Sequence, residues 1–127
     1  MPAAGDAILI PSGPARHLFI VLNDPMPISG YGARDHCILV NISSIRSHVP
    51  HDPTCVLMPD VHPFIQQPSY VYYQDVRVEP AQHIDACLAS GYFILRPPPV
   101  DLAVVENIKA GFQISRKIKR VFKNLFP

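Results

Sequence analysis

The sequence lacks the segments that direct a chain into or across a membrane. No stretch of its 127 residues approaches the ~18 uninterrupted apolar residues of a transmembrane helix. The N-terminal segment has no basic region and only a short apolar run before Pro11, so a signal peptide is not expected. We therefore expect a protein without membrane association.

Cysteine is also scarce. Cys37, Cys55 and Cys87 lie far apart and form no Cys-x-x-Cys pair, which argues against a disulfide scaffold and against a zinc ribbon. Cys37 begins an apolar run and the other two have no adjacent base in sequence, so a thiolate nucleophile is unsupported. A cytoplasmic location, where thiols stay reduced, fits best.

The motifs of several common enzyme classes are missing. The chain has no P-loop, dinucleotide-binding glycine fingerprint, His-Glu-x-x-His zinc motif, EF-hand loop or Gly-x-Ser-x-Gly elbow. A metal site could be built from His48 and His51 with Cys55, or with Asp35 and His36, but this spacing is loose and exposed loop histidines are the simpler interpretation. We expect neither a metal ion nor another cofactor.

Proline, in contrast, is abundant, with 15 prolines against six glycines. Because proline locks φ and lacks an N–H group, it divides the chain into short segments and excludes long helices from most of it. The length fits a single domain over residues 1–127, and 48% hydrophobic residues supply material for its core.

Short runs of β-forming residues come before one helical pattern. The segment 69–78 predicts the longest strand, and the segment 25–35 predicts a loop because it holds two prolines and two glycines. The remaining predicted strands are 7–10, 17–22, 37–42, 55–58 and 92–95, with a turn at 60–65 and a helical turn at 82–90.

The C-terminal segment predicts a helix. Asp101 is a candidate N-cap, and apolar residues from Leu102 to Leu125 recur every three or four positions, which places them on one helical face. Gly111 and Ser115 interrupt this pattern, so we expect a bend or a break near residue 111. The segment holds six of the eleven cations, typical of a solvated helical face but also suited to a polyanion or an anionic membrane surface. These cations are Lys109, Arg116, Lys117, Lys119, Arg120 and Lys123.

Together these elements predict the fold class. We expect a mainly β, α+β protein in which a small, strongly curved antiparallel sheet, or partly open barrel, packs against the C-terminal helix. Many functions share such scaffolds, so the fold alone does not indicate the chemistry.

Polar side chains gather near the ends of the predicted strands. Metal-free RNA cleavage needs a base for the proton of the 2′-OH, a cation for the pentacoordinate phosphate and an acid for the leaving oxygen. Arginine suits the second role, and histidine or tyrosine the other two. The alternative is structural: arginines paired with surface carboxylates, tyrosines packed across strands and a histidine that caps a turn. The residues concerned are Ser43, Ser44, Arg46, His62, Ser69, Tyr70, Tyr72, Gln74 and Arg77.

The order of these features carries a family resemblance. Gly5-Asp6 opens the first strand, Asn23-Asp24 ends the second, and Ser43-Ser44-Ile45-Arg46 follows the third; a serine-led strand and a terminal helix come after them. This pattern resembles the MazF/PemK toxin family. The resemblance implies an SH3-like barrel that cuts single-stranded RNA sequence-selectively without a metal, as a homodimer controlled by a cognate antitoxin.

The resemblance also implies roles for individual residues. The family places hydroxyl and basic side chains after its third strand, where this chain has Ser43, Ser44 and Arg46, and its Gln-Ile-Arg segment is similar to residues 74–77. The chain departs from the family at Arg16-His17, where Arg-Pro is usual, and in the segments around His62 and Tyr72. We expect a catalytic set of Arg46, His62, Tyr72, Ser69 and Ser43, with substrate bound by Ser44, Arg77, Gln74 and Tyr70.

A second function fits the same residues. An SH3-like barrel can serve as a non-catalytic binding module, whose tyrosines and proline-rich loop would recognise a protein or a nucleic acid. Toxicity on expression separates the two, because an active ribonuclease without its antitoxin arrests growth, whereas a binding module is tolerated.

Overall fold

β-branched and aromatic residues build one antiparallel sheet that dominates the molecule. The computed structural model describes residues 1–127. Seven strands and two α-helices follow in the order β1 (Ala7–Ser12), β2 (Ala15–Val21), β3 (Met26–Pro27), β4 (Asp35–Ser44), β5 (Val56–Leu57), β6 (Ser69–Pro80), α1 (Ala81–Ser90), β7 (Ile94–Leu95) and α2 (Leu102–Ala110).

The sheet curls strongly into a half-barrel. Its strands run in the spatial order β5-β6-β4-β2-β1-β7, and β3 pairs with the start of β4. The register of β4 against β6 shifts between Val40, which faces Val76, and Asn41, which faces Tyr72. Such an irregularity bends a strand and increases its twist. The predicted fold class, mainly β with a curved antiparallel sheet, is confirmed.

Alternation along the strands separates two apolar clusters. On β4, Ile38 and Val40 point into an inner cluster of 18 buried residues, and Cys37 and Leu39 point to an outer cluster of nine. Helix α2 contributes Val105 and Ile108 to the inner cluster, and α1 contributes Ile84 and Cys87 to the outer one. Where the last residues of β4 meet the first of β6, Ser44 is exposed and Ser43 and Tyr70 are half-buried.

The C-terminal helix is shorter than the apolar pattern predicts. Helix α2 ends at Ala110, and the chain beyond it forms turns and a single 3₁₀ turn at Arg120–Phe122. The predicted break near residue 111 is confirmed, but the helical pattern beyond it does not form a second α-helix. The reason is tertiary: the Ser115 hydroxyl donates a 2.5 Å hydrogen bond to the buried Asp52 carboxylate and draws the chain out of the helical path.

Two shorter predictions also differ from the structure. The helical turn predicted at 82–90 is a ten-residue helix, α1. The predicted loop 25–35 contains β3, a two-residue strand that pairs with β4. Pro27 is tolerated there because β3 lies at an edge, where a missing N–H breaks no ladder. Neither helix has the length and apolar character needed to cross a membrane.

Candidate functional site

A cleft of about 440 Å³ opens where the start of β2 meets the end of β4. The register of these strands, with Leu18 opposite Ile42, brings the first residues of β2 beside the last of β4. The loop after β4 forms one wall of the cleft, and the start of β6 forms another. The polar side chains that line it are Arg16, His17, Ser43, Ser44, Arg46 and His51.

The cleft is cationic. None of its 12 lining residues is acidic, and neither Arg16 nor Arg46 belongs to any of the ion pairs of the protein. Both guanidinium groups are therefore free to bind an anion, and their planar array of donors matches the oxygens of a phosphate. Imidazoles and hydroxyls beside them add hydrogen-bonding and proton-transfer groups.

Aromatic rings flank the cationic centre. Tyr70 lies with its ring centroid 5.2 Å from that of His51 and makes an edge contact with Tyr72 at 6.2 Å. On another side of the cleft, Phe64 carries the Arg96 guanidinium 5.3 Å from its ring centroid. Rings next to arginines are the surfaces on which unpaired bases stack.

A smaller hollow of about 190 Å³ continues the cleft. It shares His51 and Tyr70 with the cleft and extends to Tyr72, Gln74 and Lys117. The two spaces therefore form one groove along the end of the sheet, which we call the groove.

The loop that carries Arg46 and His51 is anchored by the next residue, Asp52. Its carboxylate accepts hydrogen bonds from the hydroxyls of Ser115 and Thr54 and from the Thr54 backbone N–H. Burial acts to raise the pKa of Asp52, but these hydrogen bonds and the nearby Lys117 charge outweigh it and hold the pKa below its ordinary value. An ionised Asp52 thus fixes the loop to the C-terminal segment.

The structure brings six of the predicted site residues to this groove. Ser43 and Ser44 pair with Tyr70 and Ser69 across the β4–β6 ladder, so Ser43 lies on the same face of the sheet as Tyr70. Four of the six lie at the cleft and two at the hollow. They are Ser43, Ser44, Arg46 and Tyr70, then Tyr72 and Gln74.

His62 is not brought to the groove. The residue is 1% exposed. The Phe64 N–H donates to its Nδ1 at 3.0 Å, and its Nε2 lies 2.8 Å from the Arg96 carbonyl oxygen. Since Nδ1 accepts, Nε2 must carry the proton and donate it to that carbonyl. Both nitrogens are occupied, so the structure gives His62 the turn-holding role and leaves no atom for proton exchange with a substrate.

Ser69 and Arg77 also have structural partners. The Ser69 side chain is buried, and its hydroxyl donates to the Gln67 carbonyl at 2.9 Å. Arg77 lies along β6 from the groove, with Nε 3.5 Å from Asp75 Oδ1 and its guanidinium 4.5 Å from the centroid of Phe19. The contact with Asp75 matches the structural alternative, pairing with a carboxylate, that was considered for Arg77 in the sequence.

Eight of the twelve lining residues were not among the predicted site residues, and four of these eight are charged, imidazole or aromatic side chains. Arg16 and His17 lie near the start of β2, and the antiparallel pairing of β2 with β4 places them beside Ser43. Predicting that pairing from the sequence would have identified them. His51 was considered only as a metal ligand, and Phe64 follows the buried His62 in the same turn. No three histidine, cysteine or acidic side chains converge as a metal site.

None of the cysteines lines the groove. Burial, with the charges of nearby aspartates, raises the pKa of Cys37 to about 12, and burial also raises the pKa of Cys55. The Cys87 sulfur lies 3.6 Å from Nε2 of His83 on α1, yet burial raises its pKa as well. The thiols are therefore protonated at neutral pH.

The fold and the groove define a small curled β protein with a cationic, aromatic-flanked groove. No protein-family model matches the chain, and a search of curated proteins finds no match to it either.

Proposed function

We propose that this protein is the toxin of a toxin-antitoxin system, a divergent MazF/PemK-like endoribonuclease that cuts single-stranded RNA without a metal. The observation that carries the proposal is the cleft, in which unpaired arginines, imidazoles and hydroxyls converge without a carboxylate. Such a lining favours a polyanion with exposed bases. The curled antiparallel sheet supports the proposal because it matches the fold that the resemblance implies.

The residues of the cleft supply each part of a transesterification. The ribose 2′-oxygen attacks the phosphorus, the bond to the 5′-oxygen breaks, and a 2′,3′-cyclic phosphate and a 5′-hydroxyl result. Arg16 and Arg46 stabilise the charge that builds up on the phosphoryl oxygens, and the hydroxyls of Ser43 and Ser44 orient them. The arginines also bind the phosphate in the ground state, outside the chemical step itself.

The proton transfers fall to the two imidazoles of the cleft, His17 and His51. One takes the proton of the 2′-hydroxyl and the other gives a proton to the leaving 5′-oxygen, so that the number of protons on the enzyme is unchanged. Histidine suits both tasks near neutral pH. These two residues replace His62, for which the sequence interpretation predicted proton exchange with the substrate.

The partners follow from the resemblance and from the charge of the site. A cognate antitoxin with acidic segments would cover the cationic cleft and exclude RNA from it. A homodimer and a cytoplasmic location belong to the same proposal, and mixing the protein with its antitoxin is expected to abolish cleavage.

Growth after tightly controlled induction tests the proposal in cells. The wild-type chain is expected to arrest growth, and the Arg46→Ala/His51→Ala variant at equal expression is expected to be tolerated. Arg34→Ala is the matched control, because Arg34 is an exposed arginine outside the cleft, and it should arrest growth like the wild type. Tolerance of the wild-type chain would contradict the toxin proposal and favour the non-catalytic binding module.

A further inference from the structure

The hollow beside the cleft has the features of a base-recognition site. Its volume of about 190 Å³ is about six times the ~30 Å³ of one water in the liquid, enough for one planar heterocycle. Tyr72 lines it with a half-buried ring, and the exposed Lys117 lies at its margin. Because the hollow shares Tyr70 and His51 with the cleft, a nucleotide placed there is a neighbour of the one whose phosphate the arginines hold.

Gln74 is the group in the hollow that can distinguish one base from another. Gln66, Gln67 and Gln113 each donate a side-chain amide to a backbone carbonyl, whereas the exposed Gln74 and Gln82 have no partner within the protein. Of these two, only Gln74 lines the hollow. It also lies in the irregular part of β6, between Tyr72 and Val76, where the ladder with β4 shifts register. Bulged strand positions redirect side chains, often beside functional sites.

The acidic group in the hollow is already committed. Asp52 lines it, but both carboxylate oxygens accept hydrogen bonds, one from Ser115 and the other from Thr54. Lys117 adds a cation to the same hollow and makes no ion pair. A phosphate beside the hollow therefore meets the Lys117 ammonium group and one carboxylate whose oxygens are already hydrogen-bonded.

From these observations we propose that the hollow is the specificity subsite of the groove. An adenine next to the scissile phosphate stacks there on Tyr72, and the Gln74 amide hydrogen-bonds to its edge. The proposal rests on the proposed ribonuclease function. A glutamine amide offers one acceptor and one donor, which match the N6 amino group and N7 of adenine. The stacking on Tyr72 supplies affinity for any base, and the Gln74 amide supplies the preference for adenine.

The test is a cleavage-site profile on single-stranded RNA with randomised positions around the cut. For the wild type we expect adenine enriched about tenfold at one position adjacent to the cut, as one bidentate pair supplies. Gln74→Ala should cut with this enrichment reduced to near one. Gln74→Glu should move the preference toward cytosine, because a carboxylate accepts a hydrogen bond from its N4 amino group.

Two controls separate this subsite from the general function. Gln82→Ala removes an exposed glutamine side chain on α1, outside the groove, and should keep the wild-type profile. Binding of 2′-deoxy oligonucleotides, which cannot be cut, measures the adenine preference independently of catalysis, and Tyr72→Ala should weaken binding of all bases alike. Tyr92→Ala removes a more exposed tyrosine elsewhere and should not weaken it.

The outcomes are distinguishable. A wild-type protein that leaves RNA intact would refute the ribonuclease function, while the deoxy-oligonucleotide arm would still report on the hollow. If the protein cuts RNA and the profile of Gln74→Ala equals that of the wild type, the subsite is wrong and the ribonuclease function remains. Loss of preference in the Gln82→Ala control would also overturn the assignment to Gln74.

Discussion

Asp52 illustrates how one side chain links the fold to the site. It follows His51, which lines the cleft, and it holds Ser115 of the C-terminal segment at 2.5 Å. Its neighbours are hydroxyl and N–H donors, so the ionised carboxylate is the form that the fold needs. A residue of this kind cannot be recognised in sequence, because its partner lies 63 positions away.

Replacement of Asp52 should therefore destabilise the protein. For Asp52→Ala we expect the free energy of unfolding to fall by about 1–3 kcal/mol, since the buried Ser115 hydroxyl and the half-buried Thr54 donors lose a charged acceptor. Urea unfolding at neutral pH measures the change. Asp60→Ala, which removes an exposed aspartate without a hydrogen-bonded partner, should alter the stability by less than about 0.5 kcal/mol.

The same carboxylate gives the stability a defined pH dependence. Its pKa in the folded protein is below the ordinary value, so its contribution is fully present above the unfolded pKa of about 4 and is lost as the pH falls through the folded pKa. The difference in unfolding free energy between wild type and Asp52→Asn should accordingly shrink on acidification below pH ~4. A difference that stays constant down to pH ~2 would contradict this role.

Among the elements, α2 shows why an apolar helical pattern in the sequence can extend beyond the helix that forms. Gly111 follows α2 with φ of −65° and ψ of −18°, a conformation that alanine adopts freely. An added Cβ would, however, overlap the Tyr73 hydroxyl, which donates to the Ile108 carbonyl at 2.7 Å. The glycine is needed for the approach of this ring to the helix end rather than for the backbone turn.

This contact predicts the sign of one substitution. By helix propensity alone, Gly111→Ala would stabilise the protein by up to about 1 kcal/mol. We expect instead a destabilisation of about 1–3 kcal/mol from overpacking against Tyr73. Thermal and urea unfolding decide between the two signs, and a stabilised variant would show that the ring moves aside without cost.

The sequence predicted elements well where local pattern and tertiary environment agree. The apolar run 37–42 and the β-forming run 69–78 became the central strands β4 and β6, since both faces of a buried strand favour such residues. The end of α2 depends on Tyr73 and Ser115, which are set by distant contacts. His62 shows the same limit at the site, because an imidazole in a turn has the same sequence signature whether it is solvated or held on both nitrogens.

In the whole molecule, both faces of the sheet are packed and one end of the sheet carries the groove. The inner face holds the larger core with α2, and the outer face holds the smaller cluster with α1. The groove lies at this end and joins β2, β4, β6 and the loop after β4. A rigid sheet thus positions the hydroxyls and Tyr70, while Asp52 fixes the loop that brings Arg46 and His51.

The thiols provide an independent check on the assembled molecule. Cys37 is fully buried and its pKa is about 12, so it should resist alkylation by iodoacetamide in the native state at pH 8 and react after unfolding. Cys55 is partly accessible but its pKa is also raised, and it should react slowly. Mass spectrometry of the labelled protein measures both rates. Fast labelling of native Cys37 would contradict the packing of the outer cluster.

Cleavage of single-stranded RNA by the purified protein in the presence of a metal chelator tests the proposed role of the cationic cleft. We expect fragments that end in a 2′,3′-cyclic phosphate and a 5′-hydroxyl, made by the wild type and by Arg34→Ala, and made at least 100-fold more slowly by Arg46→Ala, as for loss of one transition-state donor. Intact RNA with the wild type, or equal cleavage by Arg46→Ala, would contradict that role.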